Sequence, residues 1–181
     1  MVNHRRTVKR VGLPGWASKL HDIILGGQDG LVNVLGIVLG VAAATASTRI
    51  VLISGLAATF AESISMGAVA YTSTKAAKEY YLGLARRVPR EYEDPLANGF
   101  VVGLSAIAGS LIPLLPFFFL PVFTSVWSSL IICALVLFVV GAVKARITVG
   151  TWWRSGIELS VIGMAAAIVG YLIGLVLGVT V

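Results

Sequence analysis

The sequence predicts an all-α integral membrane protein, a bundle of five transmembrane helices with a cytoplasmic N-terminus and the C-terminus outside the cell or in a lumen. Three observations carry that reading. Of 181 residues, 57% are hydrophobic and only 12% are charged, about half the charged share of a soluble domain. Mean hydropathy is +0.94, so lipid must solvate much of the chain. The apolar residues gather into five runs, each near the ~20 residues that a span requires. The basic residues cluster in alternate connections between those runs.

The elements follow in order. Residues 1–21 are polar and basic. The apolar stretch behind them is too long for the core of a signal peptide and shows no cleavage site. They read as a cytoplasmic tail leading into a transmembrane domain over 22–181. The first span is expected at about 22–48 and the second at about 50–74. A very short link around Ser47 to Arg49 makes them a tight hairpin. The loop 75–95 is the longest polar stretch; its start, KAAKEYYLGLARR, can extend the second helix until Pro89 and Pro95 break it. The third span is expected at about 96–118 and the fourth at about 122–143. Pro113, Pro116 and Pro121 crowd the turn between them, which suits a kinked helix end and a tight external loop. The fifth span is expected at about 157–181.

Basic residues set the orientation. Arg5, Arg6, Lys9, Arg10 and Lys19 precede span one, and Lys75, Lys78, Arg86, Arg87 and Arg90 follow span two. Lys144, Arg146 and Arg154 precede span five, and only Arg49 falls on the opposite side. The excess of Lys and Arg marks the cytoplasmic side.

Several function classes drop out. The formal charge of +6 is explained by topology, with no long basic run and no aromatic box, so no nucleic-acid partner is expected. The single cysteine, Cys133, permits no intramolecular disulfide and no Cys-based metal motif. No Ser/His/Asp set, HExxH or phosphate-binding loop appears, so an enzyme is not expected.

Small residues form two stripes. Gly26, Asp29, Asn33, Gly36 and Gly40 recur at steps of three and four along span one. Gly156, Ser160, Gly163, Ala167, Gly170, Gly174 and Gly178 do so along span five. Such faces permit close helix approach in lipid. They serve either internal packing or a homodimer seam.

Two ionisable residues lie deep within spans, Asp29 and Glu62. Each costs at least ~2.5–3.5 kcal/mol near a helix centre and therefore needs a reason. Asn33 lies one turn from Asp29 on the same face, and Met66 lies one turn from Glu62. Thr59 and Ser73 extend the second stripe. Counting from the helix ends puts Asp29 and Met66 at similar depth, each roughly 10 Å inside, with Glu62 a turn further in. Carboxylates, an amide oxygen and a thioether suit a divalent transition metal such as Fe²⁺ rather than Mg²⁺ or Ca²⁺. A carboxylate in a partly hydrated cavity can also carry a proton. The alternatives are structural: an acid bonded to helix backbone or to a hydroxyl, Asn33 as a helix–helix hydrogen bond, Met66 as packing. Glu158 reads as reaching the interface. His4 and His21 read as flanking, and Trp127, Trp152 and Trp153 as interfacial anchors.

These residues also carry a resemblance. QDGLVNVLGIVLGV (28–41) resembles the first-helix motif of the vacuolar iron transporter family, which includes plant nodulin-21-like proteins. ISGLAATFAESISMGAVAYTSTKAAKEYY (53–81), with Ser65-Met66 at its core, resembles the second helix. GSLIPLLPF (109–117) resembles the third, and KARITVGTWWRSGIELSVIGMAAAIVGYLIG (144–174) the fifth. The resemblance implies a homodimer that exports cytoplasmic Fe²⁺ or Mn²⁺ against protons, with the metal as substrate and no prosthetic group. It implies that Asp29 and Met66 are the translocation ligands.

Two departures from the family pattern stand out. A Glu common four residues past the Met is here Ala70, followed by Tyr71, while Glu62 lies four residues before Met66. The acidic metal-binding domain of larger members is replaced by loop 75–95. Its Glu79, Glu91, Glu93 and Asp94 are the candidates for capturing metal at the cytoplasmic mouth. The chain therefore resembles the short, nodulin-like subset. The competing readings are a non-transporting structural or regulatory membrane protein and a transporter of another small cation. A short chain without a targeting sequence favours a prokaryotic plasma membrane over a vacuolar one.

Overall fold

A computed structural model describes residues 15–147 and 150–178. The basic residues Arg5, Arg6, Lys9 and Arg10, and the last three residues expected of span five, lie outside the described residues. Five long helices follow one another: α1 (Gly15–Thr45), α2 (Thr48–Gly83), α3 (Pro95–Phe119), α4 (Val122–Ile147) and α5 (Trp152–Leu177). All five are long and apolar enough to cross a membrane. The protein is an integral membrane protein, and the described residues contain no strand.

The helix ends follow local chemistry. Ala46 and Ser47 alone separate α1 from α2, and Ala46 takes a left-handed φ of 49° to turn the chain. Arg49, expected in the link, lies inside α2. The polar start of loop 75–95 does continue α2, as far as Gly83. Asp94 then caps α3, accepting from the Ala97 amide at 3.1 Å, with Pro95 in the first turn. Pro113 and Pro116 fall within α3, which runs on to Phe119. The hydroxyls of Ser129 and Ser125 on α4 donate to the carbonyls of Pro113 and Pro116 at 2.8 and 3.1 Å. That pairing satisfies two buried hydroxyls where no water can reach them. Thr151 precedes α5, which begins at Trp152, five residues before the expected start of the span, and Trp152 and Trp153 stand exposed in its first turn.

Helix α1 is the hub. It packs against all four of the others, while α2 leans on α3, α3 on α4, and α4 on α5. Leu31, Leu35 and Leu39 on one side meet Cys133, Leu137, Leu159 and Ala167. Val34, Val38 and Ala42 on the other meet Val51, Leu114 and Phe117. Among the described residues, α2 and α5 share no sizeable contact. The arc around α1 therefore stays open between them, and Asn33 and Ile37 are exposed there.

Close approach depends on glycine. A Cβ at Gly109 on α3 would run into the Gly27 carbonyl of α1, and one at Gly174 on α5 would run into the Gly40 carbonyl. The stripe of α5 is consumed inside the chain. Gly156 faces Phe138, the Ser160 hydroxyl donates to the Ala134 carbonyl at 3.0 Å, and Gly170 meets Gly36. The stripe of α1 divides, with Gly26 against Val102 of α3 and Gly40 against Gly170 of α5. Four neighbours surround this helix, so one sequence stripe serves more than one of them.

Candidate functional site

A single cross-helix bond sets the register of α1 against α2. The Asn33 side-chain amide donates to Glu62 Oε1 at 2.6 Å. From that level, one turn towards the N-terminus of α1 brings Asp29. One turn towards the C-terminus of α2 brings Met66. The two helices are antiparallel, so Asp29 and Met66 stand level, about 6 Å along the axis from the Asn33–Glu62 pair.

Asp29 also acts on Glu62 directly, its carboxyl lying within electrostatic reach. Two bare carboxylates that close repel one another. A proton or a cation between them relieves the repulsion. Asp29, Glu62 and Met66 are half-buried and Asn33 is exposed, because the cluster opens onto the flank of α1 between α2 and α5. A groove continues from Asn33 along that flank past Gly36, Ile37 and Gly40 to Gly170 and Gly174 of α5.

The other hydroxyls expected on this face turn away. Thr59 is buried and donates to the Gly55 carbonyl at 2.9 Å, and Ser73 donates to the Ala70 carbonyl at 3.2 Å. Both satisfy their own helix rather than the site. Glu158 is exposed on α5. His21 is an exposed flanking residue, 3.5 Å from the Asp22 carboxylate.

The four acids of loop 75–95 are not brought together. Glu79 lies 4.0 Å from Lys75 on the surface of α2. One Asp94 oxygen is engaged as the cap of α3. Glu93 is exposed, and its backbone carbonyl accepts a 2.7 Å bond from Lys78 Nζ. Glu91 is half-buried in a short 3-10 turn, Arg90–Tyr92, that rests on α1 and α2, with Tyr92 stacked on Tyr81. Among the described residues no three His, Cys, Asp or Glu side chains converge. Burial of Tyr92 and the adjacent Glu91 charge raise the Tyr92 phenol above its ordinary value.

Asp22 escaped the sequence reading as a site residue. It lies within electrostatic reach of Glu91. The signal was present, since Asp22 is seven residues before Asp29, two turns along the same face.

Known proteins resemble this arrangement along most of its length. The sequence profile of the VIT family matches residues 20–94 and 82–175. Vacuolar iron transporter 1 of Arabidopsis thaliana is 26% identical over 204 residues, covering 82% of each chain. An uncharacterised protein of Methanocaldococcus jannaschii is 26% identical over 165 residues, covering 83% of this chain and 86% of its own. A vacuolar iron transporter of Plasmodium falciparum is 36% identical over 75 residues, which is 41% of this chain and 28% of its own. The matched residues take in α2, α3 and α4 entire, most of α1 and α5, and every residue of the cluster described above. The chain belongs to the VIT family.

Proposed function

We propose that the protein is a secondary transporter that exports cytoplasmic Fe²⁺, Mn²⁺ or both in exchange for protons. The observation that carries this reading is the Asp29–Glu62 carboxylate pair inside the membrane-spanning region, with Asn33 bonded to it and Met66 level with Asp29. Intramembrane acids are costly and mark ion pathways. Two carboxylates can neutralise a divalent cation, and the Met66 thioether tilts the preference towards first-row metals. When the metal leaves, the same carboxylates take up protons, which supplies the exchange. Relatives named vacuolar iron transporter support metal as the cargo.

Orientation and assembly complete the reading. Lys19, Lys75, Lys78, Arg86, Arg87, Arg90, Lys144, Arg146 and Arg154 share one end of the bundle, so that end faces the cytoplasm. Glu91, with Glu79, Glu93 and Asp94 nearby in sequence, then draws cations towards Asp22 and on to Asp29. The open flank of α1 exposes Asn33 to lipid in a single chain. A second copy packed on that flank as a homodimer shields the site from lipid. The short loop 75–95 and the archaeal relative suit a prokaryotic plasma membrane.

The test is Fe²⁺ and Mn²⁺ flux into proteoliposomes with an imposed pH gradient. Gradient-dependent uptake is expected in the wild type and should collapse in both Asp29→Ala and Met66→Ala. A well-folded wild type that moves neither metal sinks the reading and leaves a non-transporting membrane protein in its place.

A further inference from the structure

The Asn33–Glu62 bond has a consequence for which cations the site accepts. An ionised glutamate offers two oxygens and can chelate a metal with both. Here Oε1 is engaged by the Asn33 amide at 2.6 Å, a short contact of the charge-assisted kind. The bond takes one of the Oε1 lone pairs and draws that oxygen towards Asn33, so Oε2 is the oxygen with both lone pairs free for a cation. Asn33 can supply such a bond because α1 and α2 hold it level with Glu62, and because two packed cores fix α1 on its other sides.

Ca²⁺ and the smaller transition ions differ in what they ask of a carboxylate. Ca²⁺ takes six to eight oxygens at about 2.3–2.6 Å and commonly gathers them through bidentate carboxylates. A first-row ion is satisfied with fewer ligands and accepts a thioether. With Glu62 held to one oxygen, the carboxylates of one chain offer at most about three oxygens beside Met66, short of the six to eight that Ca²⁺ takes. We propose that Asn33 is a positioning residue that holds Glu62 monodentate and thereby makes the site discriminate against Ca²⁺. This rests on the transporter reading above and adds to it the residue that sets selectivity.

Two measurements on the full chain in lipid nanodiscs test it. Calorimetric titration with Mn²⁺, with Fe²⁺ and with Ca²⁺ is made on the wild type and on Asn33→Leu, which keeps the branched outline of the side chain and removes the donor. The wild type should prefer Mn²⁺, and Asn33→Leu should erode that preference by about tenfold, the scale of one charge-assisted hydrogen bond. Infrared difference spectra of Mn²⁺-loaded wild type, labelled with ¹³C-glutamate and referenced to Glu62→Gln, read the carboxylate mode without requiring the Asn33 variant to fold. A wide gap between the antisymmetric and symmetric stretches reports a monodentate Glu62 and is the expected result. A narrow gap in the wild type, or an unchanged Mn²⁺/Ca²⁺ ratio in a folded Asn33→Leu, overturns the inference while wild-type Mn²⁺ binding keeps the transporter reading intact. Wild-type protein that binds neither Mn²⁺ nor Fe²⁺ overturns both.

Discussion

Asn33 on α1 and Glu62 on α2 are joined by a 2.6 Å hydrogen bond across 29 residues of sequence. Glu62 is at the same time within reach of the Asp29 carboxyl. One residue thus meets both a neutral donor and a like charge. Glu62→Gln should therefore reduce divalent metal binding by about tenfold or more, at the cost scale of a lost charged ligand. It should leave the melting temperature unchanged or higher, because the repulsion with Asp29 disappears. Calorimetry with Mn²⁺ and a thermal melt in detergent check the two halves. A destabilised variant with unimpaired binding would assign Glu62 to structure.

Helix contact at Gly109 tolerates no side chain, since a Cβ there meets the Gly27 carbonyl, which is backbone and cannot move aside. Gly109→Val should overpack the α1–α3 seam and cost about 1–3 kcal/mol. Size-exclusion chromatography in detergent should show loss of the folded peak. Gly83→Val, where the added group meets open space, is the control and should behave as wild type.

The α1–α2 turn stores strain of the opposite kind. Ala46 holds φ at 49°, a region that costs an L-residue roughly 1–2 kcal/mol. Ala46→Gly should relieve part of this and raise stability by about 0.5–1 kcal/mol after the entropy of the freer chain is counted. A higher melting temperature in detergent is the expected reading, and a lower one would show that Ala46 is held without strain.

The homodimer proposed above is expected to form on the open flank of α1. Ile37 is 41% exposed there, beside Asn33. In a Cys133→Ala background, Ile37→Cys should form an intermolecular disulfide in native membranes. Ile131→Cys, on the outer face of α4 and 59% exposed, should stay monomeric. The reverse pattern would move the seam to α4.

Loop 75–95 predicts both sidedness and a latch. Lys78 reaches the Glu93 carbonyl at 2.7 Å and Tyr92 stacks on Tyr81, so the loop is tied to α2. Lys78→Ala removes one exposed hydrogen bond, a loss of about 0.5–1.5 kcal/mol. Tryptic cleavage at Arg86, Arg87 or Arg90 should then accelerate severalfold, and only in inside-out vesicles. Cleavage from the outside would reverse the topology.

The sequence by itself determined the five helices, since about 20 apolar residues in lipid have no better solution than a helix. It also singled out Asp29 and Glu62, because ionisable groups among such residues are conspicuous. Spacing even put Asp29 level with Met66, and the Asn33–Glu62 bond sets the same register. What spacing could not decide was which side of a helix faces which neighbour. The glycines of α5 looked equally fit for an outer seam, yet Gly170 and Gly174 are spent on Gly36 and Gly40 of α1. The acids of loop 75–95 looked like a cluster in sequence, yet Asp94 caps a helix and Glu79 pairs with Lys75, while Asp22 comes near Glu91 from another helix. A helical periodicity names a face but not its partner. Only the packing of four helices around α1, with one side left open, assigned the partners and placed Asn33 against Glu62.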